Sequence, residues 1–402
     1  DNGYYVWWGG KNDLVPGKDN VLDYCNHYNH TKRKVQTNTH QTASQWRGPK
    51  DGDNYYSFYA GELMTDENDE YIDEDWANVL DAIDFIKNYD GEKPLCVYLP
   101  LTYPHPPYAV EEPYFSSIDR TKVTPPIKPY ENWEDKPSML KGIYREQHMQ
   151  GWTQERYTEL KATYLGMCSR IDSQYGMLLD ALKENDLYDD SAVFTFSDHG
   201  DFTGDYGLVE KTENTFQDNL TNVPLIFKPP SWINTKARIT DAMAELIDFT
   251  ATVYELTGID SGYTHFGKSL IPIAEGKTDE LRDAVFSEGG RMPYEKHCRG
   301  QQSTSAGTDF LYSPRINLQM GDGPEHSKAI MVRTSENKYV YRVGEKHEFY
   351  DLKNDPDELI NLIDDVSYKD KITELKLRML QFFAETGDVV PYESDDRWFK
   401  ED

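Results

Sequence analysis

Thr195-Phe196-Ser197-Asp198-His199-Gly200 closes a short apolar run, Ala192-Val193-Phe194-Thr195-Phe196, and Gly207-Leu208-Val209-Glu210-Lys211 follows it. The run is β-branched and aromatic, the composition of a strand buried on both faces of a sheet. An acid and an imidazole then stand at its carboxyl end. In open α/β sheets that is the edge where ligands bind. Taken alone, Asp-His-Gly also suits a plain strand-ending turn, because Asp and Gly favour turns and a histidine there can simply be exposed. Residues elsewhere in the chain must decide between the two.

Upstream, the spacing predicts a long helix from Gln154 to Asn185, where Leu160, Tyr164, Met167, Ile171, Tyr175, Leu178 and Leu182 step by three or four. Before it, Leu95-Cys96-Val97-Tyr98-Leu99 reads as a second buried strand. Asp73, Glu74 and Asp75 supply acids for a helix start, and Trp76, Leu80, Ile83 and Ile86 follow at helical spacing. Downstream, Val223 to Phe227 reads as a strand and Asp241 to Thr257 as a helix stopped by Gly258. Strand and helix in alternation predict an α/β fold over residues 1–275, with a mainly parallel central sheet flanked by helices. From 276 to 402 the character changes. Val285 to Ser287, Ala329 to Val332 and Lys338 to Tyr341 are short strands in antiparallel rhythm, and Ile372 to Glu385 is a closing helix, so a smaller C-terminal α+β domain is expected. Residues 15–72 read as polar loops with a short strand at Ser57-Phe58-Tyr59, and residues 109–150 as a Pro-rich surface excursion.

With 402 residues, one large domain and a smaller one are expected. The formal charge of −29 repels nucleic acid and anionic membranes, so neither is an expected partner. An anionic substrate must then be held by a local cluster of cations, aided by a metal. Four cysteines make neither a disulfide framework nor a CxxC pair, and Cys96 and Cys168 are expected to be packed thiols. No apolar run reaches membrane-span length. His27, His30 and His40 match no metal-ligand spacing and read as solvated loop residues.

Two further stretches stand just past predicted strands. In Tyr4-Tyr5-Val6-Trp7-Trp8-Gly9-Gly10-Lys11-Asn12-Asp13-Leu14, the glycine pair lets the backbone approach a ligand and sets Lys11 beyond the strand, although an ordinary surface lysine fits the same letters. In Pro100-Leu101-Thr102-Tyr103-Pro104-His105-Pro106-Pro107, prolines stiffen the loop that carries His105, an incidental histidine being the alternative. If the three strands are parallel neighbours, Lys11, His105, Asp198, His199 and Lys211 reach one edge of one sheet. Such a set makes a pocket for a compact tetrahedral oxyanion.

At this point the chain resembles the formylglycine-dependent sulfatases of the alkaline phosphatase superfamily. Gly3-Tyr4-Tyr5 to Leu14 is similar to the family's Gly-Tyr…Gly-Lys-x-His-Leu loop, and Tyr103 to Pro107 to its Pro-His-x-Pro segment. Thr195 through Lys211 resembles Ser-Asp-His-Gly…Gly-Leu-x-x-Lys. Glu348-Phe349-Tyr350-Asp351-Leu352 through Asn361-Leu362 resembles the closing Leu-Tyr-Asp-Leu-x-x-Asp-Pro-x-Glu-x-x-Asn-Leu signature. The resemblance implies that Asp198 and His199 ligate a divalent cation, usually calcium in the family, whose hard oxygen ligands tolerate one imidazole. It implies that Lys11 and Lys211 bind sulfate oxygens, and that His105 contacts the sulfate and protonates the departing oxygen.

Two departures qualify the resemblance. Asp13 stands where the family loop carries His, and a carboxylate there can orient a nucleophile by accepting a hydrogen bond. The second concerns the nucleophile, a formylglycine made from Cys or Ser in Cys/Ser-x-Pro/Ala-x-Arg. Cys25-Asn26-His27, Cys96-Val97-Tyr98, Cys168-Ser169-Arg170 and Cys298-Arg299-Gly300 all fail that pattern, and the paired-aspartate strand that completes the metal site is not in the chain. The family carries both upstream of the Gly-Lys loop, so the chain is expected to lack its N-terminal segment, to hold metal weakly by itself, and to leave the compartment, cytoplasmic or exported, open. The implied activity is hydrolysis of a small sulfated substrate, an aryl sulfate or a sulfated sugar. A phosphomonoester, phosphodiester or phosphonate hydrolase of the same superfamily and an inactive binder of sulfated glycans are the alternatives. Selectivity is expected from residues 15–72, 109–150 and 287–325, with Arg291, His297 and Arg299 as candidate contacts.

Overall fold

The computed structural model describes residues 2–16, 18–36, 46–66, 70–295 and 311–388. Numbering only strands and longer helices, the order is β1 (Tyr5–Trp8), β2 (His27–Tyr28), β3 (Tyr59–Leu63), α1 (Glu74–Asn88), β4 (Leu95–Tyr98), β5 (Tyr108–Glu111), α2 (Ser138–Glu146) and α3 (Gln154–Glu184). There follow β6 (Val193–Phe196), β7 (Leu225–Lys228), α4 (Ile247–Thr257), β8 (Val285–Gly289), α5 (Ser313–Met320), β9 (Ala329–Arg333), β10 (Asn337–Arg342), β11 (Glu348–Asp351) and α6 (Lys369–Thr386).

The strands before β8 pair mainly in parallel. β1 lies between β2 and β4, with Tyr5 opposite Leu95 and Trp8 opposite Tyr98, and β3 runs parallel to β5. β6 and β7 pair antiparallel, Phe196 opposite Leu225. The fold is therefore α/β of the expected class, but the strand leading to Asp198 is not a direct neighbour of those leading to Lys11 and His105. Among the described residues, β4 and β6 each pair on one side only. Their compositions nevertheless suit central strands, and the expected two-sided burial is not met: Tyr98 and Phe196 are each 39% exposed, and Cys96 is exposed rather than packed.

Helix α3 binds the pieces together. Leu160 and Met167 on it pack with Phe58, Tyr108, Val110 and Val209, while Leu178 and Leu182 nearer its end pack with Val79, Ile83, Leu95 and Val97. Each fully buried side chain of this size contributes roughly 1.5–3 kcal/mol. Helix α1 starts at Asp73, whose carboxylate accepts from Trp76 N at 2.9 Å, and α4 ends at Gly258 with φ +67°, a left-handed cap. α4 begins six residues later than its composition suggests. Asp248 accepts the Glu245 N–H and pairs with Arg282, and Glu245 turns away to accept from Phe286 N, so residues 241–246 run toward β8 instead of coiling.

The C-terminal sheet has the order β11-β10-β9-β8, wholly antiparallel, and α6 covers one face with Ile372, Leu375 and Met379. The closing signature turns out to be a clamp. Glu358 accepts from Asp218 N (2.7 Å) and pairs with Lys338 (2.7 Å), which also meets Asp218 (2.6 Å) and Phe216 O (2.7 Å). Lys136 donates to Glu358 O at 2.7 Å, and burial pushes its ammonium down to about 8. These contacts fasten the antiparallel sheet to the segment after Lys211. Among the described residues, no helix is long and apolar enough to cross a membrane.

Candidate active site

The loop after β1 is anchored through its backbone. Gly9 N donates to Tyr98 O (3.0 Å), Gly10 N to Asn78 Oδ1 (3.1 Å) and Lys11 N to Pro100 O (2.9 Å). Gly10 has φ +92°, and a Cβ there would stand 2.1 Å from Pro100 O, so only glycine lets the Lys11 and His105 loops touch. Lys11 Nζ pairs with Asp13 Oδ2 at 2.7 Å, which puts Asp13 beside the lysine it follows in sequence.

The loop after β4 is held from α1 and α3. The Asp75 carboxylate accepts from Thr102 N (2.9 Å) and Tyr103 N (2.7 Å). Burial, then the neighbouring Asp73, pushes its carboxyl up to about 6 against the pull of those two N–H groups. Tyr103 lies 4.0 Å under the Arg170 guanidinium and donates to Ala109 O. Arg170 is fully buried between Asp73 and Glu111. At the tip, His105 Nδ1 lies 2.7 Å from Pro106 O. A carbonyl only accepts, so Nδ1 carries the hydrogen and Nε2 presents its lone pair. Lys211 Nζ donates to that Nε2 at 2.9 Å.

Beyond β6, Asp198 Oδ1 accepts from His199 N (3.0 Å) and lies 3.7 Å from His199 Nε2. His199 Nδ1 donates to Gly200 O at 2.8 Å, leaving Nε2 free to ligate. Gly200 is obligatory, since a Cβ would fall 1.9 Å from Asn219 O. The Asp198 side chain is 75% exposed. Among the described residues, no group of three or more His, Cys, Asp or Glu side chains is arranged to hold a metal ion. One carboxylate and one oriented imidazole fit as part of a calcium shell, which takes about 6–8 ligands, and not as the whole of it.

The two sides of the site are joined by a buried relay. Tyr108 donates to Asp201 Oδ1 (2.6 Å) and accepts from Glu210 N (2.7 Å), and Lys211 donates to Glu210 Oε1 (2.9 Å). Burial raises the Asp201 carboxyl and the Tyr108 phenol alike. Burial, then the charges of Asp13 and Asp198, raise the phenol of Tyr98 at the end of β4, so the fields of both acidic loops reach it. Thus His105 and Lys211 are in contact, Asp198 and His199 form a second pair, and Lys11 with Asp13 a third.

Several residues of this site carry little signal in the sequence. Asp75 is visible there only as an acid at a helix start, Asn78 as a polar helix residue, and Glu210 as filler between Val209 and Lys211. Arg170, inside an apolar helix stripe, is the one available signal of a buried charge network. Among the selectivity candidates, Arg291 is buried and donates to Gln319 O and Gly321 O, so it is a structural residue. His297, Arg299, Cys298 and His40 lie outside the described residues. His27 is not a loop histidine but part of β2, its ring roughly parallel to those of Trp7 and Phe85 and centred 6.1 Å from each.

The family model described as Sulfatase matches residues 1–259. The multifunctional alkaline phosphatase superfamily protein PehA of Trinickia caryophylli is 27% identical over 302 residues, covering 71% of this chain and 55% of PehA. An arylsulfatase of Clostridium perfringens is 25% identical over 309 residues, covering 74% of this chain and 55% of the enzyme. The chain spans about half the length of the curated relatives it matches. Among solved structures, the phosphonate monoester hydrolase of Agrobacterium radiobacter shares the fold with a TM-score of 0.69 at 19% identity, over 98% of this chain and 82% of that one. More than half of the chain falls within the family match, and it therefore belongs to the sulfatase family, within the alkaline phosphatase superfamily.

Proposed function

We propose that the protein hydrolyses a sulfate ester to an alcohol or phenol and inorganic sulfate, and that residues 1–402 carry the sulfate-binding and proton-handling part of its site. The observation that carries this reading is the contact between Lys211 Nζ and His105 Nε2, 2.9 Å, which brings together two motifs 106 positions apart. An ammonium and an imidazole sharing one hydrogen are suited to an oxyanion ester. The lysine offsets charge growing on the sulfate oxygens, and the hydrogen between the two nitrogens is available to the departing oxygen. The imidazole reaches this state from its Nδ1–H tautomer, so in the resting arrangement the lysine, not the histidine, owns that hydrogen.

Lys11 is assigned a second sulfate contact, and Asp13 the acceptor that orients Lys11 and the attacking group. Asp198 and His199 would hold a divalent cation, most suitably calcium, with further ligands from outside this chain. A formylglycine hydrate in that outside segment would supply the attacking hydroxyl. Support for such a segment comes from β4 and β6, which among the described residues each pair on one side only and expose Tyr98 and Phe196, and so suit one more strand. With 71 acidic residues against 42 basic, the chain favours a small or mono-sulfated substrate over a long polyanion.

Phosphate or phosphonate ester hydrolysis is the second reading. It is favoured by Asp13 at the position where the family loop carries histidine, and by the likeness to PehA, a multifunctional member of the superfamily. The encoding gene tests the proposal directly. A Cys/Ser-x-Pro/Ala-x-Arg motif is expected in the codons preceding Asp1, and its absence removes the formylglycine mechanism.

A further inference from the structure

Glu210 is the feature that the proposed chemistry does not use. Its side chain is 3% exposed, its backbone is left-handed at φ +63°, and its carboxylate is shared between two cations. Oε1 accepts from Lys211 Nζ at 2.9 Å, and Oε2 lies 3.3 Å from Arg315 Nε on α5. A non-glycine residue held left-handed persists only where its surroundings over-determine it, and such strain collects at functional sites. Here the Glu210 N–H donates to the Tyr108 hydroxyl at 2.7 Å, which fixes the peptide, and the side chain then has one direction in which to run.

We propose that Glu210 is a positioning residue for Lys211, and that Arg315 sets the strength of its hold. The inference rests on the sulfate-ester reading for its activity arm only. With its charge balanced by Glu210 on one side, the Lys211 ammonium keeps a fixed direction and gives its remaining hydrogens to His105 Nε2 and to substrate. His105, whose Nδ1–H is held by Pro106 O, thereby keeps its Nε2 lone pair engaged by Lys211. Arg315 draws part of the carboxylate's charge away, and it is itself braced by Glu213 at 3.2 Å, which also meets His326 Nε2 at 3.3 Å. Among the described residues, the other ionisable groups facing this cluster are Asp201 and the phenols of Tyr108 and Tyr312.

The clamp makes a prediction with opposite signs at its two ends. In the complete encoded protein, Glu210→Gln removes a negative charge beside Lys211, so the basic limb of the kcat/KM profile on an aryl sulfate should move down by about one pH unit. Arg315→Gln frees the carboxylate for Lys211 and should move the same limb up. In Glu210→Gln, kcat should fall about tenfold or more while KM changes by less than about threefold. A second readout is the ¹⁵N spectrum of histidine-labelled protein, in which the His105 Nε2 resonance should show an accepted hydrogen bond in wild type and Arg315→Gln, and should move toward that of a free ring nitrogen in Glu210→Gln. Equal shifts of the limb in both variants, or no shift together with an unchanged His105 Nε2 resonance, overturn the clamp. Should Glu210→Gln fail to fold, the upward shift in Arg315→Gln stands as the test, and a downward or absent shift refutes it. If the complete protein turns over neither aryl sulfate nor aryl phosphate, the functional reading fails, while the His105 signal still decides the positioning role.

Discussion

Replacing Asp75 by Asn separates the two things its carboxylate does. It accepts the Thr102 and Tyr103 N–H groups, and it sits buried beside Asp73 with its carboxyl raised from 3.8 to about 6. An acid whose folded value is raised contributes stability that is full below the unfolded value and is lost as pH rises through the folded one. Between pH 5 and pH 7 the wild type should therefore lose about 1.3 kcal/mol from this group, because a tenfold change in proton affinity is worth about 1.36 kcal/mol. The carboxamide does not titrate. Its one oxygen can replace Oδ2, which accepts from both N–H groups, but its NH2 then stands where Oδ1 accepts from Thr102 N, donor against donor, at a cost of about 1–3 kcal/mol. The variant should thus be less stable than wild type by about 1–3 kcal/mol at pH 5, and the gap should narrow by about 1.3 kcal/mol at pH 7. Urea melts of both proteins at the two pH values measure the gap, and amide exchange at Thr102 and Tyr103 shows whether the loss is local. A gap that is independent of pH, or that widens toward pH 7, would show that Asp75 is not the buried, unfavourably charged anchor of the His105 loop.

Gly10→Ala should strain the backbone at φ +92° by about 1–3 kcal/mol and push the Lys11 loop off Pro100 O, seen as faster exchange of the Lys11 amide and reduced activity. Asp198→Asn should weaken calcium binding by the complete protein about tenfold or more in a calorimetric titration, through the loss of a charged oxygen ligand. Lys338→Met leaves Glu358 buried without its cation and Asp218 with Arg333 alone, and should cost about 3–5 kcal/mol, measured as a lower urea midpoint with the far-ultraviolet spectrum unchanged.

Much of this architecture is legible before any coordinates are known, because the long elements carry strong periodicity. Helix α3 begins at the residue its apolar stripe predicts, and the C-terminal strands lie within two residues of their expected ends. What is hidden is long-range. β5 escapes notice because three prolines precede Tyr108, and β11 because Glu348 to Asp351 reads first as a signature. Lys11, His105, Asp198, His199 and Lys211 stand out as residues past strand ends, yet their supports do not. Asp75 and Glu210 work through partners 27 and 105 positions away, and no local pattern marks such a pairing. The signature around Glu358 shows only a family likeness in sequence and proves to be the fastening of one sheet to the rest, because buried lysines demand carboxylates wherever the chain can supply them.

The claim that matters most is that a lysine–histidine pair inside a sulfatase-family fold handles a sulfate ester. The direct measurement is kcat/KM of the complete encoded protein on 4-nitrophenyl sulfate and on 4-nitrophenyl phosphate, with wild type and Lys211→Met compared side by side. A higher value for sulfate is expected, falling about a hundredfold or more in the variant on loss of a cation that stabilises the developing charge. A higher value for phosphate, or a sulfate rate that Lys211→Met leaves unchanged, contradicts it.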